Sequence, residues 1–333
     1  MKRGQSGLSL LVAVNKPKGI SSHDVVNRCR KIFGERRCGH TGTLDPMATG
    51  VLPVCIGPAT RLDAFMVGHD KRYRVSVAFG ASTSTDDAAG EIILRGTPPS
   101  PLYDEAFAQH YVEGLVGVCE QMPPRYSAIK IDGKKSYAVA RSGGDVNLAP
   151  REVEIFESSL VSVCDDPAAA FLSWTIDLHV SKGTYIRSIA RDMGEELGCP
   201  AHVAKLERTS AGLIGIEDCV SLDTLEQLRE QAAIDPVRAL GVRFAFADEY
   251  ERFVKSGVSL YRNQLDLYEP LPMETDESIC ACTSGICASI RPAQDDEVVA
   301  VIVENRVNAL YRYDAASQKW KAACVFSVPI ARG

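Results

Sequence analysis

Residues 38–54 read CGHTGTLDPMATGVLPV, and they are the most informative stretch of this 333-residue chain. Three glycines and two prolines surround one histidine, His40, and one aspartate, Asp45. Glycine permits positive φ angles and close backbone approach, and Pro46 disfavours the α region for Asp45. The pattern predicts a carboxylate held on a constrained loop before an apolar strand. The alternative is an Asp-Pro turn without a chemical role.

The composition is typical of a globular protein, with 45% hydrophobic and 24% charged residues. The length suffices for one large and one smaller domain. No apolar run approaches the roughly 18 residues that span a bilayer, and Leu8–Val14 is too short for an export signal. Eleven scattered cysteines then indicate reduced thiols and a cytoplasmic location.

The net charge of −6 argues against nucleic-acid binding, which usually uses a basic surface. The charge is unevenly distributed, because residues 246–333 hold 9 basic and 13 acidic residues. Between residues 121 and 151, only Asp132 and Asp145 oppose a basic set. That set is Arg125, Lys130, Lys134, Lys135, Arg141 and Arg151. A local basic patch is therefore compatible with an acidic total.

Helical patterns lie between strand-like segments. The strands are predicted at Leu8–Val14, Tyr73–Phe79, Ser127–Ile131, Phe171–Val180 and Glu297–Val303. Ser22 is predicted to cap a helix over Asp24–Phe33, and Thr184 a helix that ends at Leu197. A third helical pattern covers Leu222–Leu240. The order of elements is mixed rather than a regular βαβ alternation, which indicates an α+β fold.

Residues 246–333 predict a small β domain, so we divide the chain into domains 1–245 and 246–333. Val298–Val303, Val307–Tyr313 and Lys319–Val328 alternate as expected for a three-stranded meander. Glu304-Asn305 and residues 314–318 supply its turns.

The 38–54 stretch resembles the catalytic motif of the TruB family of pseudouridine synthases, which modify uridine 55 in the tRNA T-loop. Similar blocks occur in the family's order at Asn15–Ser22, Asp70–Val75, Tyr126–Tyr137, Ser181–Arg187 and Ala201–Arg208. The resemblance covers most of the first 215 residues. It implies a catalytic fold with a mixed, largely antiparallel sheet and flanking helices, followed by a PUA-like domain. That last domain departs most from the family because it is acidic.

The resemblance also implies roles for individual residues. Asp45 is the catalytic carboxylate, and Arg187 is its cationic partner rather than a solvated helix residue. Tyr73 contacts the target base and takes part in catalysis. Tyr185 and Leu206 are further walls of the uridine pocket, with ordinary core packing as the alternative.

Other matched residues are expected to bind the substrate. His40 stacks within the RNA loop and fills the space left by the flipped base, the alternative being a turn histidine bonded to the backbone. Lys16 braces the site. Lys130, with Lys134, Lys135 and Arg141, tracks phosphates, unless these residues form a solvated hairpin and helix face.

The implied reaction breaks the C1′–N1 bond, rotates the base and joins C1′ to C5. Because nothing is oxidised and no external group enters, we expect no cofactor. Cys280, Cys282 and Cys287 lack a fourth ligand nearby, so we expect no metal. Whether Asp45 attacks C1′, attacks C6 or promotes a glycal intermediate stays open.

Two other functions share the motif. One is a guide-dependent synthase that acts with a box H/ACA RNA, and the other is a non-catalytic tRNA-folding factor. The Asp70–Val75 and Tyr126–Arg141 blocks resemble the stand-alone type, and a folding factor has no need of Asp45. We therefore expect a monomeric, guide-independent enzyme that acts on the tRNA T-arm and binds no membrane.

Overall fold

The computed structural model describes residues 6–124, 130–131, 134–135, 148–165, 171–270, 287–289 and 291–333. The α-helices are α1 Ser22–Phe33, α2 Asp63–Met66, α3 Glu105–Glu113, α4 Ile186–Glu196, α5 Leu222–Leu228, α6 Pro236–Leu240 and α7 Glu251–Lys255. In the described part of the chain, none of them has both the length and the apolarity to cross a membrane.

The strands are more numerous than the helices. They are β1 Leu10–Lys16, β2 Cys38–His40, β3 Thr49–Ile56, β4 Lys71–Phe79, β5 Ala81–Thr83, β6 Ile92–Arg95, β7 Gly117–Gln121, β8 Lys130–Ile131, β9 Lys134–Lys135, β10 Arg151–Cys164, β11 Leu172–Val180, β12 Ala201–Ala211, β13 Ile214–Gly215, β14 Phe244–Phe246, β15 Leu260–Tyr261, β16 Tyr268–Glu269, β17 Cys287–Ala288, β18 Val298–Val303, β19 Arg306–Asp314 and β20 Lys319–Ala331. This mixture confirms the predicted α+β class.

One compact unit comprises residues 1–44, 51–68 and 212–333. Its β2 pairs with β3, and its larger sheet has the order β15-β20-β19-β18-β14-β16-β17. The predicted meander is present as β18, β19 and β20, with Glu304 and Asn305 both at positive φ in the first turn. Tyr311 and Trp320 lie in the core of this sheet. The predicted boundary at 245/246 falls within β14, and the division into domains stays a prediction.

The second unit comprises residues 45–50 and 69–211, and its sheet has the order β12-β4-β11-β10-β7. These neighbours are antiparallel, whereas Thr49 and Gly50, which open β3, pair in parallel with Glu207 and Arg208 of β12. Gly50 has a φ of +99°, and a Cβ there would lie 2.2 Å from the Arg208 carbonyl oxygen. The parallel pairing therefore requires glycine at this position.

Both predicted helix caps are wrong by one residue. Ser21 caps α1 and forms a capping box with Asp24, while the hydroxyl of Ser22 bonds the backbone of Leu44 instead. Tyr185 is the N-cap residue of α4 and provides no side-chain cap. The Thr184 hydroxyl donates to the Ser181 carbonyl and so stabilises the preceding turn.

The helix predicted over Leu222–Leu240 is also wrong as a single element. Arg229 has a φ of +50°, which ends α5 after seven residues, about two turns. Asp235 then caps α6 through the backbone N–H of Val237, and Pro236 occupies its first turn.

Candidate active site

The structure brings Asp45 and Arg187 together in the second unit. Asp45 lies on the loop before β3, and Arg187 lies in the first turn of α4. The Arg187 Nε and an Asp45 carboxylate oxygen are 2.9 Å apart. The arginine side chain is only 5% exposed, whereas the aspartate side chain is 34% exposed. The pair therefore joins a buried cation to a carboxylate that stays accessible.

A second carboxylate, Asp87, also faces Arg187. Its Oδ2 lies 3.8 Å from the Arg187 Nε, and its other oxygen accepts from the Thr85 hydroxyl at 2.7 Å and the Ala89 N–H at 2.9 Å. Arg187 also donates to the Thr85 carbonyl at 3.0 Å. Asp87 thus positions the arginine. Its role was not evident from the sequence, because Thr85-Asp86-Asp87, shortly before Gly90, is also typical of an ordinary turn.

A further ion pair lies one helical turn along α4. Arg191 is 3.5 Å from Asp86, which is at positive φ. Burial raises the pKa of Asp86, and the nearby Arg191 and Arg187 only partly oppose that rise. Two arginines on one face of α4 are therefore matched to carboxylates of the segment that follows β5.

Tyr73 and Leu206 lie on the same face of the second unit's sheet. In the β4–β12 register Tyr73 pairs with Arg208 and Leu206 pairs with Val75, and paired residues share a face. Tyr73 is 9% exposed and Leu206 is 7% exposed. Both side chains are thus part of one buried wall of the sheet, which also contains the buried Arg208 and fits a base pocket and core packing alike.

Tyr185 is half-buried and precedes α4. The buried side chain of Gln121 accepts from its backbone N–H at 2.8 Å and donates to its carbonyl at 3.1 Å. Gln121 therefore fixes the entry into the helix that carries Arg187. The sequence offered no signal for it, since the two residues are 64 positions apart.

Lys16 and His40 lie in the first unit. Lys16 is fully buried, and its ammonium donates to the carbonyls of Pro17 at 2.9 Å and Ile20 at 2.8 Å. It therefore braces the turn before α1. His40 ends β2 and accepts from the N–H of Gly42 through Nδ1 at 3.4 Å. This contact corresponds to the turn-histidine alternative.

The predicted phosphate contacts are described only in part. Lys130 pairs with Lys135 across β8 and β9, but their side chains, like that of Lys134 and all of Arg141, lie outside the described residues. Cys280 and Cys282 lie outside them too. Among the described residues, no group of three histidine, cysteine or acidic side chains is arranged to hold a metal.

Comparisons with known proteins agree on one family. Residues 30–186 match the TruB family pseudouridylate synthase N-terminal domain, and residues 187–240 match the tRNA pseudouridylate synthase B C-terminal domain. The chain is 40% identical to tRNA pseudouridine synthase B of Geobacillus thermodenitrificans over 264 residues, which cover 75% of this chain and 85% of that one. It is 42% identical to the Deinococcus radiodurans enzyme over 265 residues, which cover 72% and 84%.

Solved structures resemble the chain in fold. A structure of an H/ACA RNP bound to a substrate RNA containing 2′-deoxyuridine aligns with a TM-score of 0.62 at 20% identity, covering 98% of this chain and 86% of that one. At this identity the likeness concerns the fold alone. Together with the family matches, it confirms the predicted α+β catalytic fold with a β-rich C-terminal part.

Proposed function

This chain belongs to the TruB family of tRNA pseudouridine synthases, and we propose that it isomerises uridine 55 of the tRNA T-loop without a guide RNA. The observation that carries the proposal is the contact of accessible Asp45 with buried Arg187. A buried guanidinium favours the ionised form of a neighbouring carboxylate, which the reaction requires. The identity of 40% and 42% to two tRNA pseudouridine synthase B enzymes, together with the Asp70–Val75 block, supports the stand-alone activity.

Asp45 acts on the sugar carbon in this proposal. The C1′–N1 bond breaks, and the carboxylate serves as nucleophile or stabilises the positive charge that develops. The base rotates, C1′ bonds to C5, the hydrogen on C5 leaves as a proton, and N1 gains a proton. Atoms and electrons balance without a cofactor.

The wall formed by Tyr73 and Leu206 takes the uracil ring. A base that leaves its stack is recognised by apolar and aromatic surfaces, and flipping costs a few kcal/mol that such contacts offset. Tyr185, fixed by Gln121, adds a third side to the pocket. Lys16, His40 and Lys130 complete the proposed RNA contacts, with Lys16 acting through the turn that it braces.

The test uses a pure tRNA transcript with tritium at C5 of its uridines, since isomerisation at C5 releases that tritium to water. We expect one equivalent released per tRNA, from both the full transcript and an isolated T-arm stem-loop, with EDTA present. A transcript with cytidine at position 55 is the control and should release none. Release that depends on an added guide RNA would contradict the proposal in favour of a guide-dependent enzyme.

We further propose that the enzyme acts as a monomer in the cytoplasm and that residues 246–333 form a PUA-like module. Sedimentation at micromolar concentration tests the oligomeric state, and a single species of 36.1 kDa is expected. A dimer that dissociates only with loss of turnover would overturn the monomeric assignment.

A further inference from the structure

The first unit contains a cleft of about 1140 Å³ that the proposed chemistry does not use. Three arginines, Arg30, Arg36 and Arg37, line it together with Thr60. Cys38 and Gly39 also line it, and they belong to the strand that ends at His40. A concentrated positive charge in a chain of net charge −6 calls for an explanation.

Neutral oxygens hold two of these guanidinium groups in place. Arg30 donates to the Arg36 carbonyl at 3.1 Å and to the Asn27 side-chain oxygen at 2.8 Å, and Arg37 donates to the Thr60 hydroxyl at 2.7 Å. Within the described part of the chain, no carboxylate oxygen comes within 4 Å of either group. The buried Glu35 carboxylate accepts from the Arg37 backbone N–H at 2.9 Å rather than from its guanidinium. The two guanidinium groups are thus held in place without a direct ion pair, as in a preorganised anion site.

Among the described residues of the acidic C-terminal region, Ser327 and Val328 of β20 line this cleft, and both are uncharged. Arg61 donates to the Val325 carbonyl at 2.5 Å. Burial raises the pKa of Cys324, and the charges of Arg61 and Arg37 oppose that rise. The positive field therefore extends to β20, although residues 246–333 carry net negative charge.

We propose that this cleft binds backbone phosphates of the tRNA, an inference that rests on the proposed function. Guanidinium groups match phosphate oxygens in geometry and charge, and they hold RNA in place without reading its sequence. None of the described residues that line the cleft is aromatic, so it offers no platform for a base. The chemistry of the lining therefore selects the phosphodiester backbone over a free nucleotide.

The experiment compares salt dependence of tRNA binding in the full-length protein. In the double variant Arg30→Gln/Arg37→Gln, the slope of log K against log salt should fall by about two units, because each phosphate contact contributes about one. Affinity at 0.1 M salt should fall about tenfold to a hundredfold. The single-turnover rate at saturating protein should stay unchanged, since neither residue touches the proposed reacting groups.

Two controls separate charge at the cleft from charge elsewhere and from folding. Arg28→Gln, on the same helix, removes an arginine already paired with Glu226 at 3.2 Å and Asp223 at 3.7 Å, and should leave the slope unchanged. Arg30→Lys/Arg37→Lys keeps the charge and should retain most of the slope, which a purely structural role would not predict.

The outcomes decide between sources of phosphate. An unchanged slope in the Gln/Gln variant, or an equal fall in Arg28→Gln, overturns the proposal. Binding of ATP or inorganic phosphate that the Gln/Gln variant loses, with the tRNA slope intact, shows a small-molecule site instead. If the wild-type protein releases no tritium, the proposed function fails, but the slopes still decide whether the cleft binds RNA.

Discussion

Two buried arginines, Arg187 and Arg243, each form an ion pair with a carboxylate, but the two pairs differ in how exposed that carboxylate is. Their side chains are 5% and 1% exposed. Arg243 holds both oxygens of Glu297, at 2.8 Å and 2.5 Å, and donates to Ser289 and the Arg291 carbonyl. Glu297 also accepts the Gln294 N–H at 3.0 Å and is 14% exposed.

The difference lies in the carboxylate. The Glu297 oxygens are engaged by bidentate and backbone donors, so that pair ties the segment before β18 to the start of β14. Asp45 is 34% exposed and meets its arginine through Nε. A carboxylate that stays accessible beside a buried cation keeps its charge available for a reactant. Both arginines are buried, so it is the exposure of the Asp45 carboxylate that distinguishes the candidate catalytic pair.

The sharpest test of this contrast is Asp45→Asn. The change is nearly isosteric but removes the negative charge, so we expect turnover to fall at least about a thousandfold. Tritium release and filter binding of tRNA should be measured in parallel, with binding and Tm unchanged. Turnover above a few per cent of wild type would remove Asp45 from its proposed role.

Arg187→Met should have the next largest effect on turnover. Loss of the cation leaves Asp45 and Asp87 without their shared partner, so kcat should fall about a hundredfold while KM changes little. Arg191→Met, one helical turn away, is the matched control. Its decrease in log kcat should be less than a fifth of the decrease in Arg187→Met. A change in KM alone would make Arg187 a phosphate contact.

Asp87→Asn should have a smaller effect, about tenfold on kcat, because it acts through the orientation of Arg187. Its Thr85 and Ala89 contacts involve the other oxygen and can survive the change. Asp87→Glu should restore part of the rate if orientation matters. A loss as large as that of Asp45→Asn would instead give Asp87 a direct part in the chemistry.

Arg243→Met should leave turnover on the T-arm stem-loop unchanged and lower stability. Removing one member of a buried pair costs about 3–5 kcal/mol of unfolding free energy. Urea unfolding followed by circular dichroism measures this, with Arg291→Met, at the exposed edge of the same pair, as control. A stable variant with impaired turnover would reverse the contrast between the two pairs.

The smallest expected effect is a change in how the free energy of unfolding depends on pH. Burial opposes ionisation of Glu297, but the hydrogen bonds from Arg243 and from the Gln294 N–H outweigh it and lower its pKa. A lowered folded-state pKa stabilises the protein above the unfolded value, about 4.3, and this contribution is lost as pH falls through the folded value. The stability gap between wild type and Glu297→Gln should therefore narrow below about pH 4. A gap that widens there would contradict the assignment.

Local motifs made much of the fold and of the candidate active site predictable from the sequence. The 38–54 stretch and the Ser181–Arg187 block carried Asp45 and Arg187, and alternation predicted the final meander. Contacts between distant segments that no motif marks were not predictable: Asp87 reaches Arg187 across 100 residues, and Gln121 reaches Tyr185 across 64. Ser21 and Ser22 are both candidate caps, but only Ser21 is followed three residues later by an acidic residue, Asp24, and this signal of a capping box was overlooked.

The close approach at Gly50 has a consequence for how substitutions at this site would be read. In a saturation library selected for activity, we expect glycine alone to survive at position 50, as strictly as aspartate at position 45. A ranking of positions by their tolerance to substitution would then place Gly50, which has no side chain, among the catalytic residues. Its intolerance arises because the Arg208 carbonyl occupies the space where any side chain would begin.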